Sequence, residues 1–253
     1  ILIPQTSDGR VLFAVPWKNY VVVGTTDTHV KKASEEPKAL KEEVDFILKN
    51  AGKYMSVKPK RDDIKSVFAG LRPLAATSNK QSTKEVSRSH KIDISPSGLI
   101  SVLGGKWTTY RKIAEDALNT AISINKLKKK KCKTERTKLF GFKRNISWSD
   151  PMHVYGSLKK KVESLGGIND NKSLSKKFYI SNNIIEWSII HEMALTVEDI
   201  LARRTRCIFL DSKESKRIAP IVAQKMADVL GEDDKWVDAE LKKFNKLIKN
   251  YIV

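Results

Sequence analysis

The chain has 253 residues, 40% of them hydrophobic, which is enough for one or two packed domains and excludes wholesale disorder. Lys and Arg outnumber Asp and Glu by 48 to 29, a net charge of +19 that raises nucleic acid or an anionic membrane surface as a partner. No run of about 20 apolar residues is available to cross a bilayer. The opening Ile1-Leu2-Ile3-Pro4 has no initiating Met and no basic n-region of a signal peptide, and it reads as a start inside a strand, the expectation for a truncated protein.

The first third predicts strands. Residues 11–15 follow the turn signal Ser7-Asp8-Gly9, and residues 20–23 follow Lys18-Asn19, so the two runs suggest a hairpin. A helix entered at Pro37 comes next, with Leu40, Val44, Ile47, Leu48 and Ala51 on one face. Three further strands are expected over residues 64–69, 87–94 and 99–103, the last two joined by a turn at Pro96-Ser97-Gly98. Gly104-Gly105 ends the last strand and a long helix starts at once, carrying Ile113, Ala114, Ala117, Leu118, Ala121 and Ile122 at three-and-four spacing.

Residues 126–145 then hold ten Lys or Arg against one acid, nearly half of the whole excess charge. Such a block reads as a solvated linker, or as a contact for an anionic leaflet, where each cation contributes about 1 kcal/mol. From about Ser147 the pattern is helical to the end. Thr196 to Asp199 resembles a capping box, and Asp211 to Glu214 marks another helix entry. Pro220 is expected to divide that segment or to sit in a first turn. A final stripe carries Trp236, Val237, Leu241, Phe244 and Ile248. Trp187, Ile189 and Ile190 read as core. Cys132 and Cys207 have no metal-ligand spacing and fit a reducing compartment.

Three segments have chemistry to offer. Gly24-Thr25-Thr26-Asp27 ends a strand with free donors, as a turn or as a ligand-facing corner. In residues 68–74 Arg72 lies in an apolar, strand-like run, where a buried guanidinium requires an anionic partner, structural or bound. Arg88 is a second cation at a strand start. Residues 102–111 place a glycine pair, Lys106 and Thr108 between a strand and a helix N-terminus, which is an anion- or dipole-binding corner or a plain structural turn. A P-loop, a zinc-protease helix, a nucleophile elbow and the Gly-x-Gly-x-x-Gly dinucleotide fingerprint are all absent from these 253 residues.

The succession DGRVLFAVPW, GTTD, FAGLRPLA, SRSHKI and SVLGGKWTTYRKIAEDAL, with HEMALTVEDILARRTRCIFLD further on, resembles the flavin-linked, quinone-reducing glycerol-3-phosphate dehydrogenases. The likeness covers nearly the whole chain except the lysine-rich linker, and the order and spacing of five motifs make it specific. It implies an α+β fold: part of an antiparallel or mixed-sheet substrate domain over 1–97, a strand–helix return segment of the FAD domain over 98–125, a basic linker over 126–145, and an all-α C-terminal domain over 146–253. It further implies that Arg72 and Arg88 bind the substrate's phosphate or hydroxyls, that Thr25 or Thr26 lines the pocket, and that Lys106 lies near both flavin and substrate. Gly104, Gly105, Thr108 and Thr109 would meet FAD through the helix start. Trp107 stands where the family pattern leads one to expect an aliphatic residue.

The implied reaction oxidises sn-glycerol 3-phosphate to dihydroxyacetone phosphate and passes electrons through FAD to quinone, at the cytoplasmic face of the membrane as a peripheral protein. A homodimer stays open, no metal is implied, and no residue is an evident general base. The chain alone is expected to lack FAD and activity. Two alternatives stand beside this reading. One is a related FAD-dependent oxidase using oxygen. The other is a basic binding module for membrane or nucleic acid, against which the charge map argues, because the excess lies in a segment with few aromatics for stacking.

Overall fold

In the computed structural model, residues 1–72 and 90–253 are described. The β-branched runs near the start form the expected hairpin: β2 (Leu12–Trp17) pairs antiparallel with β3 (Tyr20–Gly24), and β1 (Leu2–Ile3) adds to the other edge of β2. The pair Trp17↔Tyr20 leaves the two-residue loop Lys18-Asn19, with Lys18 in the left-handed region at φ 54°. Strand alternation buries Leu12 and Ala14 and exposes Phe13 and Val15. The inner face packs Ile3 and Leu12 on Ala51 of helix α1 (Lys41–Ala51), with Val23, Phe46 and Met55 at the rim. The helix starts four residues after Pro37, because Glu43 supplies the cap: its carboxylate accepts the Leu40 N–H at 3.0 Å and the Thr28 hydroxyl at 2.7 Å.

Residues 64–69 form no strand. Their polar groups pair with the helical part of the chain instead: Val67 N–H donates to the Tyr251 carbonyl at 3.0 Å, Ser66 Oγ to that of Ile208 at 2.8 Å, and Ser212 N–H to that of Lys65 at 3.1 Å. An apolar run of strand composition is thus satisfied without a neighbouring strand.

The second antiparallel pair is β4 (His90–Ile94) with β5 (Ile100–Gly104), registered from His90↔Gly104 to Ile94↔Ile100. Gly98, at φ 84°, makes the turn. Helix α2 (Tyr110–Ile124) follows, preceded by a 3-10 turn over Trp107–Thr109 rather than starting directly at the glycines. Residues 127–152 contain no helix or strand.

The rest is helical. A kinked 3-10 segment (His153–Leu158) leads into α3 (Lys159–Glu163), and α4 (Asn182–Glu192), a π-helical turn (Asp199–Arg204), α5 (Cys207–Leu210), α6 (Ser212–Leu230) and α7 (Asp234–Leu247) follow. The expected caps are in place. Thr196 Oγ1 accepts the Asp199 N–H at 3.0 Å, and Asp199 accepts the Thr196 N–H at 3.1 Å. Asp211 caps α6 by accepting the Glu214 N–H at 2.8 Å. Pro220 neither divides α6 nor opens it; it lies mid-helix. Its face is exposed, as is Lys216, whose carbonyl would otherwise accept the missing N–H, so water can serve that carbonyl. Ile200, Leu201, Ile208, Ile218, Met226 and Phe244 make the main core, and Trp17 and Tyr20 of the first hairpin pack against it. Trp187 is buried, whereas Ile190 faces solvent.

The chain has an α+β fold. It divides into two compact units: residues 1–28, 34–70 and 141–253 form one, and residues 29–33 with the described residues of 71–140 form the other.

Candidate functional site

Within the second unit, the strand-to-helix corner is shaped by two glycines. Gly104 and Gly105 have φ of 70° and 87°, a conformation that suits residues without Cβ. At Gly105 the packing demands it as well: a Cβ there would meet Ile113 Cδ1 at 2.6 Å and His90 Cβ at 3.3 Å. The chain therefore turns from β5 onto α2 at the closest approach the backbone allows.

After the glycines, Lys106 is extended, and its carbonyl accepts both the Thr109 N–H and the Thr109 hydroxyl at 3.0 Å. No side chain caps α2, and its first turn holds no acid. The positive end of the helix dipole thus meets no carboxylate of its own first turn. Lys106, Trp107, Thr108 and Thr109 are all exposed, and the Trp107 ring stacks on Tyr110 with centroids 5.8 Å apart. An ammonium, a hydroxyl and backbone amides at a helix start can receive an anionic or electron-rich group.

The corner is braced from behind. His90 Nε2 lies 3.1 Å from Asp116 Oδ2, and Lys112 Nζ lies 2.7 Å from Asp116 Oδ1. Lys112, and after it His90, hold the Asp116 carboxyl below its ordinary range against the opposing effect of burial. This pair ties the first residue of β4 to the second turn of α2. Sequence reasoning gave neither residue a role, although His90 stands in the quoted SRSHKI run, and Lys112 and Asp116 have the i,i+4 spacing that announces a paired carboxylate. A shallow groove of about 520 Å³, lined by Ile94, Asp116, Asn119, Thr120, Ser123 and Ile124, opens toward the other end of the hairpin, away from the glycines.

The other expected residues are distributed as follows. Thr25 and Thr26 follow β3 in the first unit, with Thr25 exposed and Thr26 half-buried. Burial pushes the Glu43 carboxyl up, but hydrogen bonds from the Leu40 amide and the Thr28 and Thr26 side chains outweigh it and hold the group below its ordinary value. Arg72, in the second unit, is exposed on irregular backbone, not buried in a strand. Arg88 lies outside the described residues. Gly104, Gly105, Lys106, Thr108 and Thr109 are brought together at the one corner. Among the described residues no group of three His, Cys, Asp or Glu side chains could hold a metal, and no helix is long and apolar enough to cross a membrane.

Two family models match the chain. Residues 100–237 match the C-terminal domain of alpha-glycerophosphate oxidase, and residues 2–111 match the FAD-dependent oxidoreductases. The mitochondrial glycerol-3-phosphate dehydrogenase of Bos taurus is 32% identical over 98% of this chain and 37% of its own length. The mitochondrial enzyme SDP6 of Arabidopsis thaliana is 29% identical over the whole chain and 44% of its length. The chain therefore spans less than half of these relatives. The solved structure of the glycerol-3-phosphate dehydrogenase from Bacillus halodurans, complexed with FAD, superposes with a TM-score of 0.76 at 25% identity, over 98% of this chain and 53% of that one. The glycine corner lies where the two family matches overlap, and together these findings place the chain in the FAD-dependent glycerol-3-phosphate dehydrogenase family.

Proposed function

We propose that this chain supplies the substrate-side and cofactor-closing part of a flavoprotein that oxidises sn-glycerol 3-phosphate to dihydroxyacetone phosphate. The observation that carries the reading is the corner at residues 104–109: two positive-φ glycines, an uncapped helix start, and exposed Lys106 and Thr108. That donor set fits FAD, whose ring or phosphates would face amides and hydroxyls with no side chain at Gly104 or Gly105 in the way. Bound FAD would take the hydride from C2 of the alcohol.

The protein's own share is positioning and charge. Arg72 and Arg88 would grip the phosphate through charge-assisted hydrogen bonds of about 1.5–3 kcal/mol each. Thr25 or Thr26 would line the pocket. Lys106 would hold positive charge beside substrate and cofactor. Quinone would accept the two electrons, with the protein peripheral on the cytoplasmic membrane. The match to an alpha-glycerophosphate oxidase domain favours a second acceptor, oxygen.

The test uses this chain joined to a segment bearing the family's dinucleotide fingerprint, which these 253 residues lack. Glycerol 3-phosphate added without oxygen should bleach the flavin, glycerol should not, and Arg72→Ala should lose the response. A flavin that stays oxidised would refute the substrate, and a protein without flavin would refute the cofactor. Admitting oxygen, and measuring peroxide against reduction of a soluble quinone, separates the two acceptors. The 253-residue chain alone should show no flavin absorbance and no turnover.

A further inference from the structure

Residues 126–138 carry eight Lys or Arg and one acid, Glu135. Every side chain from Leu127 to Phe140 is exposed. Among the described residues, Lys128, Lys129, Lys130, Lys131, Lys133 and Arg136 make no ion pair with a carboxylate, while Glu135 is drawn to Arg111 at 3.8 Å. The one acid of the segment thus lies against a cation from outside it, and these six cations face solvent.

The segment is tied down. Arg111 of α2 donates to Thr134 Oγ1 at 3.3 Å and lies 3.9 Å from Cys132 Sγ, while Glu115 at 2.8 Å fixes the guanidinium. Apolar side chains bracket the cations: Leu127 on one side, Leu139 and Phe140 on the other, with Phe140 89% exposed. A solvated spacer has no use for such residues. Cations flanked by bare apolar groups are what an anionic lipid interface accepts, the cations at the headgroups and Leu and Phe at the acyl boundary.

We propose that residues 126–140 form a docking surface for anionic phospholipid headgroups, with Lys128–Lys131 reading the charge and Leu139 and Phe140 entering the interface. Nucleic acid fits less well, because one aromatic in fifteen residues offers little stacking. The proposal stands on this segment's own chemistry. It deepens the peripheral-membrane part of the reading above by naming the surface that would bring the protein to a lipid-dissolved acceptor.

The test is co-sedimentation of the 253-residue chain with phosphatidylcholine vesicles, with and without phosphatidylserine, at low and high salt. Binding should require phosphatidylserine and weaken as salt rises. K128Q/K129Q/K130Q/K131Q should weaken it by about fivefold per lysine, several hundredfold in all. L139S/F140S should remove the part that survives high salt. Both variants change exposed residues and should melt with the parent chain. Equal binding to neutral vesicles, or no loss in the lysine variant, would overturn the proposal. A single-stranded oligonucleotide that binds more tightly than the anionic vesicles, with L139S/F140S silent, would assign the surface to nucleic acid instead. Vesicle binding reads neither flavin nor turnover, so a failure here and a failure of the dehydrogenase reading are separately visible.

Discussion

At Gly105 two demands coincide, a positive φ and a gap too small for a methyl group. Gly105→Ala must displace Ile113 or shift the backbone, and we expect a loss of about 1–3 kcal/mol, read as a lower Tm, and a weaker flavin complex in the joined protein. Glu214 illustrates another residue-scale effect. It is buried at the start of α6, accepts the Ser175 hydroxyl at 2.6 Å and is gripped by Arg217 at 2.7 and 3.0 Å. The Arg217 guanidinium, more than the Ser175 hydroxyl, pulls its carboxyl from 4.5 down to about 2 against the opposing effect of burial. A depressed carboxyl stabilises the fold fully above its unfolded value and loses that contribution as pH falls toward the folded one. Glu214→Gln should therefore cost about 1–2 kcal/mol at neutral pH, the exposure of Arg217 keeping the figure low. The deficit should shrink between pH 4.5 and 2, a window fixed by the two values of this carboxyl. Urea melts across that range would refute this if the deficit were constant.

Elements were legible where local chemistry decides them. The hairpin around Lys18-Asn19, the turn at Gly98, and the caps at Thr196 and Asp211 follow from residues a few positions apart. The failures came from distant partners. Residues 64–69 have the composition of a strand, but Tyr251, Ile208 and Ser212 take up their hydrogen bonds. Pro220 reads as a breaker, yet the buried stripe of Ile218, Ala219, Val222 and Ala223 on either side of it holds α6 together. Pro220→Ala would restore the N–H to a helix already in place and should stabilise by about 1–3 kcal/mol, visible as a higher Tm. A lower Tm would mean that the proline ring makes a contact worth more than the missing bond. The candidate corner was legible because strand, glycine pair and helix start are contiguous in residues 99–124, whereas the brace between His90 and Asp116 joins residues 26 apart and left no local signal.

On the scale of the whole molecule, the first compact unit is assembled from both ends of the chain. Trp17 and Tyr20 pack on the helical core, and residues 65–67 are hydrogen-bonded to it. The helices are therefore no independent appendage. Residues 141–253 expressed alone should melt well below the intact chain and expose apolar surface to a hydrophobic dye, and the intact chain should unfold its first hairpin and its helices together in hydrogen exchange. Two separate transitions for those segments would contradict this. None of this organisation can be read from periodicity, because each segment's apolar face is explained equally well by a local partner.

The placement of the two cysteines has a practical consequence. Cys207 is sealed in the core, where burial pushes its thiol up to about 11, while Cys132 stands exposed in the middle of the lysine-rich segment. A thiol-directed dye at mildly alkaline pH should therefore attach at one position without any mutation. These 253 residues carry a single-site attachment point for a polarity-sensitive fluorophore, at the place where a change from water to lipid would alter its colour.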